Sequence, residues 1–126
     1  MDKGQEAKSY FEQGLNCAQA VALAFEKELG LDAESIKRLS VGFGGGFGRQ
    51  GLVCGAVCAM TMVIGFVHGQ NKDKLGVYEV LKQACKDVQT QIGSIICKEI
   101  KGCYKMGCAE VCRIVANVTQ KYIESK

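Results

Sequence analysis

The chain of 126 residues contains no proline and no tryptophan, and it has a single histidine. The absence of proline argues against a loop-rich secreted fold, so glycine is left to end helices and form turns. The polar start of the chain leads into an amphipathic pattern, without the apolar run of a secretory signal. The longest uncharged stretch, residues 51–67, is marginal for crossing a bilayer, and we interpret it as a buried central helix.

Length and charge are those of one small globular domain, residues 1–126. Sixteen basic and 13 acidic residues give a net charge of +3, which is spread along the sequence. Such a charge predicts neither a nucleic-acid partner nor a membrane partner. The apolar central helix is compatible with a homodimer. The default compartment is the cytoplasm, where thiols stay reduced unless they are catalytic or bound to a metal.

Apolar residues recur at helical spacing through most of the sequence, and no segment shows the sustained alternation of a strand. Asn16 and Asp32 stand where helix N-caps are expected, and Gly30 and Gly93 stand where helices end. We therefore predict an all-α fold, a single compact bundle of five to seven helices. The expected segments are a first helix ending near Gly14, then 17–29, a short helix after Asp32, 52–67, 73–92, a short turn around Cys97, and 107–124.

Eight cysteines are the informative feature of the composition. Four of them fall in the first turn of an expected helix, and these are Cys17, Cys54, Cys97 and Cys108. Free backbone N–H groups and the positive end of the helix dipole favour an anion at this position. A thiol placed there can have its pKa lowered from about 8.5 to roughly 3.5–7.5, which makes the thiolate available at neutral pH. We predict that these four thiols are catalytic, against the alternative that they are buried structural residues.

The other four cysteines carry a weaker signal. Cys85 lies in the apolar stripe of its helix and is expected in the core. Cys58 and Cys112 follow Cys54 and Cys108 by one helical turn, so each is either a core residue or a partner of its neighbour. Cys103 lies in a short polar loop and has no assigned role.

Cysteine spacing gives a separate test for metal binding. None of the gaps is the Cys-x2-Cys spacing of zinc ribbons or thioredoxin-type motifs, and none matches the common ferredoxin spacings. Zinc or an Fe–S cluster held by cysteines from different helices therefore stays an alternative. Its ligands would be the same four residues, Cys17, Cys54, Cys97 and Cys108.

Six of the 16 glycines lie in residues 42–51, the one long flexible stretch that we expect. Residues 46–51 fit the letters of a dinucleotide-binding fingerprint, but no strand precedes them and no acidic residue follows at the required distance. These glycines more simply let the chain turn tightly and approach the helix that starts near Cys54. The alternative function is to hold a small anion. Its binding residues would be Gly44, Gly45, Gly46, Gly48 and Arg49.

His68, the single histidine, is a poor candidate for the base of a Cys–His pair with Cys54. It lies at the other end of the same expected helix, ~21 Å away at 1.5 Å per residue. We expect it near the helix C-terminus, where a cation is favoured. Lysines such as Lys98 and Lys101 are typical of solvated helix faces.

Four motifs together resemble the C_GCAxxG_C_C family. They are NCAQAV at 16–21, GFGGGFGR at 42–49, VCGAV at 53–57 and GSIICKE at 93–99. The resemblance covers roughly residues 9–123, and it implies a small protein with redox activity and four characteristic cysteines. Those cysteines would be Cys17, Cys54, Cys97 and Cys108. The chain departs from the family pattern at Ala59, where the family has glycine, and it adds the thiols of Cys58, Cys103 and Cys112.

The leading hypothesis is a cytoplasmic redox protein in which one thiolate attacks a disulfide and a second thiol resolves the intermediate. Its enzymatic form would be a thiol-disulfide oxidoreductase with an unidentified redox partner. Cys54 is the expected nucleophile, because Gly55 and Ala56 leave its sulfur uncrowded. Two alternatives stand beside it: an electron-transfer or metal-binding module, and a small-molecule binding protein with structural cysteines.

Overall fold

A computed structural model describes residues 2–124, and within that range it is helical with no strand. The predicted all-α class is confirmed, and six of the helical segments have eight residues or more. The helices are α1 (Lys3–Glu12), α2 (Cys17–Ala24), α3 (Glu26–Leu29), α4 (Ala33–Ser40), α5 (Gly44–Phe47), α6 (Gly55–His68), α7 (Lys74–Ile92), α8 (Cys97–Glu99) and α9 (Cys108–Glu124). A 3-10 turn at Val41–Phe43 precedes α5, and a π turn at Ile100–Tyr104 follows α8.

Side-chain caps fix the starts of four of these helices. The side chains of Asp2, Asn16, Asp32 and Asp73 each accept a hydrogen bond from the backbone N–H three residues later, at 2.7–2.9 Å. Gln19 returns the bond to Asn16, which completes a capping box at the start of α2. The first residue of α2 is therefore set by local chemistry alone.

Four helices, α1, α2, α6 and α9, pack against one another and enclose the core. α4 lies against α2, and α7 packs on α6 and α9. The largest buried side chains at the centre include Phe25, Met60 and Ile64. Burial of this apolar surface is what holds the bundle together. No helix in residues 2–124 is both long and apolar enough to cross a membrane.

The expected single helix at 17–29 is interrupted at Phe25. Phe25 leaves helical geometry, with φ −107° and ψ 26°, and its ring is fully buried. The Lys3 ammonium lies 5.0 Å from the centre of that ring and donates to the Ala24 carbonyl at 2.8 Å. Because that carbonyl bonds to a side chain from α1, tertiary contact ends α2 early.

Residues 42–51 form a series of hydrogen-bonded turns rather than an extended flexible stretch. Gly45 and Gly46 have φ of +67° and +75°, a conformation that suits glycine. The Gly51 N–H donates to the Gly45 carbonyl at 3.1 Å, and the Leu52 N–H donates to the Gly46 carbonyl at 3.2 Å. The chain thus folds back on itself just before α6.

An isolated antiparallel bridge between Val53 and Ile96 joins the segment before α6 to the segment before α8. The Cys54 N–H donates to the Ile95 carbonyl at 2.7 Å, and the Cys97 N–H donates to the Leu52 carbonyl at 2.6 Å. This pairing keeps residues 52–54 out of the helix. α6 therefore begins at Gly55, later than expected, and the bridge fixes two cysteine backbones side by side.

Candidate functional site

The four cysteines singled out from the sequence meet at one end of the bundle. Cys17, Cys97 and Cys108 are the first residues of α2, α8 and α9. Cys54 is the N-cap of α6, one position outside the helix rather than in its first turn. All four line one small cavity of about 30 Å³. Their spacing in the sequence gives no hint of this convergence, which the helix packing produces.

Cys17 is the thiol whose environment most favours the thiolate. The Cys54 thiol donates a hydrogen bond to its sulfur, and the backbone N–H groups of Gly45, Ala56 and Ala18 add to this. Together these donors outweigh burial and lower the pKa of Cys17 from 9.0 to about 6. At neutral pH most of Cys17 is therefore ionised.

Two glycine-containing segments bring those donors to Cys17. The turn at Gly45 supplies one N–H from the glycine-rich stretch, so the anion held there is the Cys17 thiolate itself. Gly55 allows α6 to approach, because a Cβ at this position would lie 2.8 Å from the Cys17 sulfur and 2.7 Å from the Phe43 carbonyl oxygen. A larger side chain at position 55 would therefore force the Cys17 sulfur or the start of α6 to move.

The surroundings of Cys54 favour its protonated form, in contrast to those of Cys17. Its hydrogen bond to Cys17, its burial and the negative charge of Cys17 all raise the pKa of its thiol. Cys54 therefore keeps its proton while Cys17 is ionised. Cys17, and not Cys54, is therefore the thiol whose surroundings favour the thiolate, whereas the sequence alone had suggested Cys54 as the nucleophile.

Cys97 and Cys108 also line the small cavity. Burial raises the pKa of Cys97, the nearby Lys101 ammonium lowers it in part, and charge on Cys17 or Cys108 raises it further. Gly46 packs closely on this thiol, because a Cβ there would lie 2.9 Å from the Cβ of Cys97. Gly46 therefore serves close packing, whereas the sequence had it among the candidates for binding a small anion.

A larger cleft of about 1070 Å³ opens above the small cavity. Cys17, Cys97 and Cys108 reach it, whereas Cys54 lines only the small cavity below. Of the candidate binding residues, the cleft is lined by Gly44, Gly45, Gly48 and Arg49. Lys98 and Lys101 also line it. The sequence pattern showed these lysines only as an exposed helix face, because nothing local reveals which cavity a lysine borders.

The remaining four cysteines differ in how deeply they are buried. Cys112 is fully buried, and its thiol donates to the Cys17 carbonyl at 3.8 Å. Burial and the charge of Cys17 raise the pKa of Cys58 to about 11. Cys85 is half-buried against the core, and Cys103 is exposed. All eight cysteines are free thiols.

The alternative of a metal site requires the four cysteines to be arranged around an ion. They lie near one another, but they are not arranged to bind a metal ion. In the described part of the chain, no group of three or more His, Cys, Asp or Glu side chains is placed to hold a metal ion. His68 lies far from the thiols, as expected, in the last turn of α6. It is buried, with its Nε2 2.8 Å from the Tyr122 carbonyl oxygen.

A helical bundle that gathers four thiols from four helix starts beside a glycine-rich turn defines a cysteine-based site. A family model described as "Putative redox-active protein (C_GCAxxG_C_C)" matches residues 15–122. The match covers most of the chain, so the protein belongs to the C_GCAxxG_C_C family, and the resemblance noted from its motifs is confirmed. No curated protein and no solved structure matches the chain significantly.

Proposed function

We propose that the protein carries out reversible thiol-disulfide exchange with Cys17 and Cys54 as the exchanging pair. The observation that supports this most directly is that Cys17 and Cys54 line the same small cavity of about 30 Å³, where the Cys54 thiol helps to lower the pKa of Cys17 to about 6. A thiolate with a neighbouring thiol is the arrangement that disulfide exchange needs. Cys17 also reaches the larger cleft, so a substrate has access to it.

The reaction starts from the reduced protein and a substrate disulfide. The Cys17 thiolate attacks one substrate sulfur, a bond forms between the two sulfurs, and the other half of the substrate leaves as a thiolate. Cys54 then loses its proton and attacks the Cys17 sulfur. The second half of the substrate leaves, and a Cys17–Cys54 disulfide remains. Two electrons pass from the protein to the substrate, and the one proton that the reduced pair carries, on Cys54, ends in the solvent or on a departing thiolate.

The order of the two attacks follows from the charges. The negative charge of Cys17 is one of the causes that raise the pKa of Cys54. Once Cys17 is bonded to the substrate that charge is gone, so Cys54 ionises more readily than before. Cys54 is thus held as a thiol until the mixed disulfide has formed. In the cytoplasm, which we propose as the compartment, a reducing thiol pool would return the pair to its dithiol form.

A second candidate function uses the same cysteines as ligands of zinc or an Fe–S cluster. The observation that favours it is that all four line one small cavity. The cavity of about 30 Å³ is the size of one water molecule, so a single zinc ion is a better fit than a cluster. The thiols would have to close around the ion, since no group of three is placed to bind it in the described residues.

The deciding experiment is purification without oxygen, followed on one sample by a visible spectrum, by iron, sulfide and zinc analysis, and by a count of free thiols. We expect no stoichiometric metal and, on mild oxidation, the loss of two thiols with a peptide pair joined through Cys17 and Cys54 in the mass spectrum. Stoichiometric zinc or iron that is lost in Cys17→Ser would transfer the assignment to the metal site.

Serine variants test the roles of the two thiols. Cys17→Ser should abolish reaction with a disulfide, and Cys54→Ser should stop at the mixed disulfide on Cys17. Cys103→Ser, which removes an exposed thiol outside both cavities, is the matched control and should behave like the parent. If Cys17→Ser still formed an internal disulfide at the parent rate, the assignment of the pair would be wrong.

A further inference from the structure

The charges around the large cleft have one sign. Arg49, Lys98 and Lys101 line it, and no carboxylate lines it among the residues that the structure describes. The three side chains are exposed at the opening that leads to Cys17. The chain as a whole carries a net charge of only +3, so this concentration of positive charge is local.

These three cations differ from other basic residues that lie near carboxylates. Lys3 pairs with Glu28 at 3.1 Å, and Arg113 pairs with Glu110 at 2.7 Å. Within residues 2–124, none of the three cleft cations makes an ion pair with a carboxylate. Their positive charge is therefore available to an anion that enters from solvent.

Backbone contacts hold two of the cations in adjoining segments. Arg49 lies in the glycine-rich turn, where its N–H donates to the Gly44 carbonyl at 3.0 Å. The Cβ of Lys98 packs over Gly51, 3.2 Å from where a Cβ at that glycine would stand. The Lys98 N–H donates to the Gly51 carbonyl at 3.3 Å. The turn and α8 are thus joined, and the charges border one space.

We propose that the substrate of the exchange is a low-molecular-weight disulfide with carboxylates on both halves, bound in this cleft with its sulfurs over Cys17. This inference rests on the proposed function and adds the substrate class to it. A cleft of about 1070 Å³ admits a molecule of the size of two joined short peptides. Phe11 and Val41 on the wall offer apolar contact to its methylene groups.

The test is a single turnover in which the reduced protein supplies both electrons, so that no other reductant is needed. Three probes differ in charge: oxidised glutathione is anionic, bis(2-hydroxyethyl) disulfide is neutral and cystamine is cationic. Each rate is divided by the rate of the same probe with dithiothreitol, which removes its intrinsic reactivity. We expect the anionic probe to react fastest and the cationic probe slowest, with the difference shrinking at high salt.

Variants that remove single positive charges test whether the faster reaction of the anionic probe depends on the cleft. Arg49→Gln and Lys98→Gln should each slow the anionic probe by roughly two- to fivefold, and the double variant by about tenfold. The neutral probe should be unchanged. Lys82→Gln removes one charge from an exposed position on α7 that does not line the cleft, so it should change neither probe. Lys101 is left intact, because it acts on the pKa of Cys97.

Three results would overturn the inference. One is equal normalised rates for the three probes, and another is a double variant that slows the neutral probe as much as the anionic one. The third concerns failure of the exchange itself. If no probe reacts, the proposed function is wrong, and the anion site is then tested alone by titration with S-methylglutathione, which cannot exchange. Absence of binding to the parent, or equal binding to the double variant, would reject the site.

Discussion

The two ends of α6 each carry a buried group, but the two groups differ in their access to solvent and in their surroundings. At the N-terminal end, Cys54 lies beside Cys17 under an open cleft, and backbone N–H groups from two other segments surround the pair. At the C-terminal end, His68 is 1% exposed, with its Nε2 against the Tyr122 carbonyl. Both ends carry a buried group that could do chemistry. Only the first combines access from solvent with donors that stabilise a charge, so burial alone does not mark a reactive site.

The largest expected effect on stability lies at the His68 end. His68→Ala removes a buried ring and the hydrogen bond to the Tyr122 carbonyl, so we expect a loss of about 2–4 kcal/mol in the free energy of unfolding. Urea unfolding measures this loss. The rate at which iodoacetamide alkylates Cys17 in the folded protein should stay unchanged. A fall in that rate would show that the two ends are coupled.

The next largest expected effect comes from adding one methyl group beside Cys17, at the N-terminal end of α6. Gly55→Ala would place a Cβ 2.8 Å from the Cys17 sulfur, so the sulfur or the start of α6 must move. We expect a loss of about 1–3 kcal/mol. Because Cys17 would be displaced from its donors, its pKa should rise toward the ordinary value, and its alkylation at pH 7 should slow. Unchanged alkylation would argue against the role of the close packing at Gly55.

The pH dependence of the free energy of unfolding measures how much the Cys17 thiolate contributes to stability. The folded protein releases the Cys17 proton near pH 6, whereas the unfolded chain keeps it up to about pH 9. Between these values the unfolded state binds more protons, so stability due to Cys17 rises with pH, by up to about 1.4 kcal/mol per pH unit. Below pH 6 this contribution is lost.

The measurement is the urea midpoint of the reduced protein at several pH values, beside that of Cys17→Ser. The difference between the two should grow from pH 6 to pH 8. Above pH 9 both proteins should lose stability, because the unfolded chain then ionises thiols such as Cys54 and Cys58, whose pKa is raised by folding. A constant difference across this range would mean that Cys17 is not ionised in the folded state.

The smallest effect is a gain in stability, at the other end of the same helix. Gly65 lies in α6, and a Cβ there would meet nothing within 4 Å. Gly65→Ala should therefore stabilise the protein by about 0.5–1 kcal/mol, because alanine loses less backbone freedom on folding. The same substitution thus has opposite signs at positions 55 and 65. Destabilisation by Gly65→Ala would indicate a contact that the helix surface does not show.

Much of the fold follows from local signals in the sequence. Asn16 and Asp32 cap helices where their side chains predict a start, and Gly30 and Gly93 end helices in the left-handed conformation. The break at Phe25 was missed, because its cause is Lys3 from another helix. The late start of α6 was missed for a similar reason, since the bridge between Val53 and Ile96 joins residues far apart in the sequence.

The sequence by itself determined the helical class, the family and the four cysteines at the helix starts. Caps, apolar spacing and motifs are local, so they can be read without knowing how the chain packs. Only the tertiary structure decided which thiol is ionised. The donors that lower the pKa of Cys17 include Cys54, Gly45 and Ala56, all distant from it in sequence. A thiol's charge depends on the groups packed around its sulfur, and it is the folded bundle that brings them together.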